Sequence, residues 1–177
     1  PVEPDDEDKE PEKKPEPQKP EPETINVDFA GLTSKYPDVV GYIYAAYTGI
    51  NYPIVQSSSN DYYLNHDLDG NVNNNGSIFV EHLNSSDFSD QNTIIYGHNM
   101  KNGTMFAALH KYKSKSFWED HKYVHFDTLN EYHTYEIFAV FNTTADLTKG
   151  FTYHIYDTFP TEIEFNQFVS TCKNIDL

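Results

Sequence analysis

The residues with the clearest chemical potential lie in "NTIIYGHNM", Asn92 to Met100. Two isoleucines and a tyrosine make a strand-like run that ends on Gly-His-Asn. A rigid element therefore carries His98 to a sheet edge, with glycine before it and the Asn99 amide after it. An imidazole so placed suits general acid or base work near neutral pH. By itself Gly-His-Asn is a weak signal, and a structural histidine is its default reading.

Cysteine-histidine chemistry is the obvious extension, since the chain has a single cysteine, Cys172 in "FVSTCKN". The surrounding sequence argues against that pairing. After Pro160, "TEIEFNQFVSTCKN" opens with Thr-x-x-Glu, a capping box, and Phe165, Phe168, Val169 and Cys172 then share one helical face. Cys172 is thus expected to be a small apolar residue buried beneath a helix. It sits near the C-terminal end, where the dipole opposes a thiolate, with only Lys173 close in sequence.

The other chemical candidates are thinner. His121 and His125 have the spacing of two metal ligands on one helix, but His125 falls in the strand-like "YVHFDTL". Neither a His-Glu-x-x-His pattern nor a third ligand accompanies them, so no metal or cofactor is expected. The sequence has no Gly-x-Ser-x-Gly elbow, no phosphate loop and no carboxylate pair that stands out from the general acidity.

The positioning elements read as mostly β. Ile25 to Asp38 predicts a short helix ended by Pro37. "VVGYIYAAYTGINYPIVQ" predicts two strands joined at Thr48-Gly49, with Pro53 restricting the second to an edge or a strand start. Asn60 to Gly76 is a turn-rich connection with one helical turn at Tyr62 to Leu64. Short strands follow at Ser77–His82 and Asn92–His98. Thr104–Tyr112 predicts a helix with Met105, Leu109 and Tyr112 on one face, and Ser116–Tyr123 a second short helix. "YVHFDTL" and "EYHTYEIFAVFNTT" read as a hairpin turning near Asn130, with both faces of the middle of its second arm expected to be covered. A barrel or strongly curled sheet with short helices in the connections is the natural architecture.

The composition divides the 177 residues in two. Residues 1–23 hold seven of the ten prolines and ten acids against four lysines, which predicts a disordered, extended spacer; an acidic tail for a basic partner is the alternative. Residues 24–177 have the composition of one globular domain. A net charge of −16 and the absence of any arginine argue against binding nucleic acid. No apolar run is long enough to span a membrane, and no signal peptide opens the chain. A charged spacer ahead of the fold fits a domain held away from a surface.

Several segments together resemble the class B sortases in order and spacing. They are Thr48 to Gln56, Asn60 to Leu64, Gly76 to Phe79, Ile95 to Met100 and Gly103 to Phe106, and "IYGHNM…GTMF" is the most specific. The likeness runs from about Phe29 to at least Phe141. It implies a cysteine transpeptidase on a closed β-barrel, anchored outside a Gram-positive cell. A thiolate would attack the threonine carbonyl of a sorting signal to form a thioacyl enzyme. His98 would protonate the leaving amine and help activate the incoming one, and an arginine would stabilise the oxyanion. Leu64 and Asn60 match positions near the substrate groove. The implied partners are a sorting-signal peptide and an amine acceptor from peptidoglycan or a pilin.

The chain departs from that pattern at its end. "Ser-Thr-Cys" at 170–172 imitates part of the family's Thr-x-x-Thr-Cys motif, yet helical periodicity surrounds it. Family members place such a helix just before the strand that bears the nucleophile. The last strands, the catalytic cysteine and the arginine are therefore expected beyond Leu177, and the polypeptide as given is expected to be inactive. Two rival readings stay open: a non-catalytic sortase-like module that binds peptide at the surface, and an unrelated cysteine hydrolase pairing His98 with Cys172.

Overall fold

The computed structural model describes residues 27–144 and 146–177, so the spacer expected over residues 1–23 lies outside the described residues. Strands β1 (Val39–Ala45) and β2 (Ile50–Val55) form a hairpin. Its turn is locked by Thr48, whose buried hydroxyl donates to the Ala45 carbonyl at 2.6 Å and accepts from the Ile50 N–H at 3.0 Å. Then come β3 (Ile78–Val80), β4 (Ile95–Tyr96), β5 (Tyr123–Thr128) and β6 (Tyr132–Glu136). The sheet order is β4-β3-β2-β1-β5-β6, antiparallel throughout except between β2 and β3. A parallel pair needs a crossover, and this one carries the helix α2 (Asn60–Leu64).

The sheet curls on itself. Ile95 of edge strand β4 and Tyr135 of edge strand β6 line one cavity of about 280 Å³, together with Ile43, Phe88 and Phe126. This is the curled, mostly β architecture expected from the sequence. The core lies on the concave side, where Ile54, Ile78, Val80, Met105 and Phe126 pack together. A second cluster, Val39, Val55, Tyr63 and Phe79, fixes α2 against β3. Burial of this kind is the main source of stability in such a sheet, at roughly 25 cal/mol per Å² of apolar surface.

Four α-helices decorate the described residues. Helix α1 (Phe29–Lys35) starts at Asp28, whose carboxylate accepts from the Gly31 N–H, and it stops short of Pro37. Helix α3 (Lys115–His121) is capped by Ser114. Helix α4 (Glu162–Asn174) starts at Thr161 as expected: the hydroxyl accepts from the Glu164 N–H at 3.3 Å, and the Glu164 carboxylate accepts from that hydroxyl at 2.8 Å, where a full capping box would use the Thr161 backbone N–H.

Four local expectations need correction. Pro53 is not at an edge or a strand start; it is the fourth residue of a central strand. It is tolerated because the β3 ladder joins only at Ile54, so the missing N–H faces no partner. Residues Phe106–Lys113 form a 3-10 helix, and Met105 precedes it with φ of 56°. The buried face becomes Ala108 and Tyr112, and Leu109 turns outward. Strands β3 and β4 are shorter than their apolar runs. Finally, the second hairpin arm leaves the sheet after Glu136 instead of continuing as strand. There Ile137 bonds to the Lys122 carbonyl and the Trp118 indole, and Val140 bonds to Asp176 and Leu177, so that backbone is satisfied away from β5.

One buried acid stands out on β5. Asp127 is pushed up from the ordinary carboxylate range by burial, against the hydrogen bond from the His133 backbone and the proximity of the His125 and His133 rings. A raised acid pKa means that the folded state binds the extra proton. Stability from this residue is therefore lost as pH rises from the unfolded carboxylate value through the folded one. Asp127→Asn is expected to raise the thermal midpoint at pH 7 and to leave it unchanged at pH 3; midpoints measured across that range check both arms.

Candidate functional site

His98 lies just past β4, where Asn99 bridges to Met105 and the Phe106 N–H bonds to the His98 carbonyl at 3.0 Å. The strand end is pressed into place from both sides. A Cβ at Gly97 would stand 2.5 Å from Ile78 Cδ1 and 2.7 Å from the Phe106 ring, so a side chain there would push both aside. The ring is then fixed from a different element: His98 Nε2 lies 2.8 Å from the carbonyl oxygen of Leu64, the last residue of α2. A carbonyl can only accept, so Nε2 carries the proton in the neutral ring. Nδ1 is left with its lone pair and has no hydrogen-bond partner among the described residues. This is the tautomer logic that equips a histidine to move a proton at one defined atom.

The position of α2 thus decides how His98 is held. Its C-terminal carbonyls pass over Gly76, which has φ of 57°; a Cβ there would lie 2.6 Å from both the Tyr63 and Leu64 carbonyl oxygens. Its N-terminal residue, Asn60, donates from Nδ2 to Glu81 at 2.7 Å and accepts from the His82 N–H at 2.9 Å. The Asn60 amide is therefore largely engaged within the protein, with one N–H left to give. The Leu64 side chain, 39% exposed, is open to solvent beside His98.

Residues that sequence reasoning missed complete the surroundings. Glu81, at the end of β3, also accepts from the Tyr96 hydroxyl at 2.8 Å and lies 2.5 Å from His82 Nδ1. Burial pushes its carboxyl up, but the bonds from Tyr96, Asn60, the Leu83 N–H and His82 outweigh this and hold it below the ordinary glutamate range. Asn99 donates to His110 Nε2 at 2.9 Å. The only sequence sign of Glu81 was an acid closing an apolar run.

The other candidates have different surroundings. Cys172 sits on the inner face of α4, 4% exposed, and burial pushes its thiol pKa up, so the thiol stays protonated at neutral pH. His121 ends α3, stacked on Phe117 with Nδ1 on the Phe117 carbonyl, whereas His125 lies on β5 against Thr134. The pair shares no helix.

Comparison with known proteins places these features in a family. The family model described as "Sortase domain" matches residues 43–176. Sortase B of Listeria monocytogenes is 42% identical over 136 residues, covering 77% of this chain and 53% of that protein. The chain thus spans about half the length of that relative. Sortase B from B. anthracis, solved in complex with AAEK1, superposes with a TM-score of 0.75 at 36% identity, over 84% of this chain and 68% of that one. A Staphylococcus aureus sortase B–substrate complex gives 0.76 at 32% identity, over 84% and 66%. With its curled sheet, its strand-end histidine and these likenesses, the chain belongs to the sortase family, in class B.

Proposed function

We propose that this chain is the histidine-bearing part of a cysteine transpeptidase that joins surface proteins to an amine acceptor outside a Gram-positive cell. The observation that carries this reading is His98, held at Nε2 by the Leu64 carbonyl with Nδ1 left to act. The S. aureus relative was solved as a sortase B–substrate complex, which supports a substrate-binding role for this fold. In the proposed reaction a thiolate adds to the threonine carbonyl of a sorting signal, and the scissile C–N bond breaks. The imidazolium of His98 gives its Nδ1 proton to the departing amine. The neutral ring then takes a proton at Nδ1 from the incoming amine as it attacks the thioester and releases the thiolate.

The nucleophile and the oxyanion donor come from outside these 177 residues. The chain has no arginine, and its one cysteine is a buried, protonated thiol. The polypeptide alone is accordingly inactive. Exposed Leu64 offers an apolar contact beside His98 for the sorting signal, and the remaining Asn60 N–H a polar one. Peptidoglycan peptide or a pilin lysine is the acceptor class, and residues 1–23 serve as the spacer from the membrane anchor.

The test uses the full-length product of the gene that specifies this chain, with a fluorogenic library of threonine-containing sorting peptides. Cleavage after threonine and a thioester adduct by mass spectrometry are expected. His98→Ala is expected to lower kcat/KM by roughly 10²–10⁴-fold. Binding without cleavage would make the protein a peptide-binding module. Cleavage that depends on Cys172 would make it an unrelated cysteine hydrolase.

A further inference from the structure

The structure assigns Glu81 as the positioning residue of this site, its carboxylate joining α2 to β3 and β4 and so setting where α2 presents the carbonyl that holds His98. This rests on His98 being the reactive histidine, as proposed above.

The geometry is that of one acceptor shared by elements far apart in sequence. Oε2 takes the Asn60 amide at 2.7 Å, from the first residue of α2, and the Tyr96 hydroxyl at 2.8 Å, from β4 two residues before His98. Oε1 faces His82 Nδ1 at 2.5 Å, and the His82 N–H returns to Asn60 Oδ1 at 2.9 Å. The Glu81 backbone is pinned as well: its carbonyl accepts from Gln56 Nε2 at 3.0 Å, and its N–H bonds to the Ile94 carbonyl at 2.9 Å.

Helix α2 is only five residues long, too short to hold its own position. Beyond the packing of Tyr63, its two ends are held by different bonds: Asn60 by Glu81 at the start, and at the end the Tyr63 carbonyl by the Ser77 N–H at 2.9 Å and the Leu64 carbonyl by His98. Tyr96, which donates to Glu81, stands two residues before His98 in the chain. A single carboxylate therefore references both the strand that brings His98 and the helix that receives its ring. Glutamine at this position has the same shape but only one acceptor oxygen, and its NH₂ would meet donors.

The test is Glu81→Gln in the chain itself, read by two-dimensional ¹H–¹⁵N NMR of side-chain amides and histidine rings. Hydrogen bonds to charged groups are strong enough that the Asn60 NH₂ exchange in the folded protein is expected to be at least about tenfold slower than in a free asparagine. The His98 Nε2–H is expected to be observed directly at neutral pH. In E81Q, with the fold retained by circular dichroism, Asn60 exchange is expected to accelerate about tenfold or more and the His98 Nε2–H signal to be lost. Glu81→Asp, which keeps the charge on a shorter stem, is expected to restore part of both. Unchanged Asn60 exchange and an unchanged His98 signal in folded E81Q would overturn the assignment. If E81Q does not fold, E81D carries the test, and a wild-type Asn60 and His98 spectrum in it alongside wild-type stability would overturn it too. These readouts are independent of peptide cleavage, so a protein that cuts no sorting peptide refutes the functional reading and leaves the role of Glu81 to be decided by the spectra.

Discussion

Gly76→Ala is expected to lower stability by about 3 kcal/mol and to break the His98–Leu64 hydrogen bond. The backbone at Gly76 is left-handed, with φ of 57°, a conformation that costs an alanine about 1–2 kcal/mol. The larger problem is steric. The added methyl would stand 2.6 Å from two carbonyl oxygens, those of Tyr63 and Leu64, and these are backbone atoms that cannot rotate away. Either α2 lifts off β3 or the loop before β3 shifts. In both cases the Leu64 carbonyl moves relative to His98 Nε2, from which it is now 2.8 Å. A loss of this size corresponds to roughly a 10 °C fall in thermal midpoint for a domain of this length. Thermal unfolding together with the ring ¹⁵N spectrum of His98 checks both halves. An unchanged midpoint with an unchanged ring would mean that the carbonyls have room to move. Gly49, also left-handed but with open space around a Cβ, is the natural comparison, because it shares the backbone cost without the clash.

The sequence was most legible where local chemistry decides structure. Helix α4 follows from Thr161 and Glu164 and from the spacing of Phe165, Phe168, Val169 and Cys172, and it formed with Cys172 inside. His98 was legible as the end of a strand, because Ile94 to Tyr96 run straight into it. The failures lie where tertiary contacts override local pattern. Thr104 to Tyr112 has helical spacing, but the left-handed Met105 starts a tighter 3-10 turn and rotates Leu109 outward. Pro53 looks incompatible with a central strand until one sees that β3 joins a residue later. Glu81 could not be identified as a hub, because its partners Asn60 and Tyr96 are 21 and 15 residues away. "NNNG" similarly reads as any turn, and only the passage of α2 over Gly76 gives that glycine its reason.

His98 is expected not to act on Cys172. This is tested most directly by the rate at which iodoacetamide alkylates Cys172 at neutral pH in the folded chain, in urea, and in His98→Ala. A thiol that is 4% exposed and held protonated by burial reacts only when α4 opens. Alkylation of the folded chain is therefore expected to be at least roughly 100-fold slower than in urea, the protection given by about 2.7 kcal/mol of opening free energy. His98→Ala is expected to leave that rate unchanged. Alkylation as fast in the folded chain as in urea, and slowed by His98→Ala, would contradict the account and make Cys172 and His98 partners in one site.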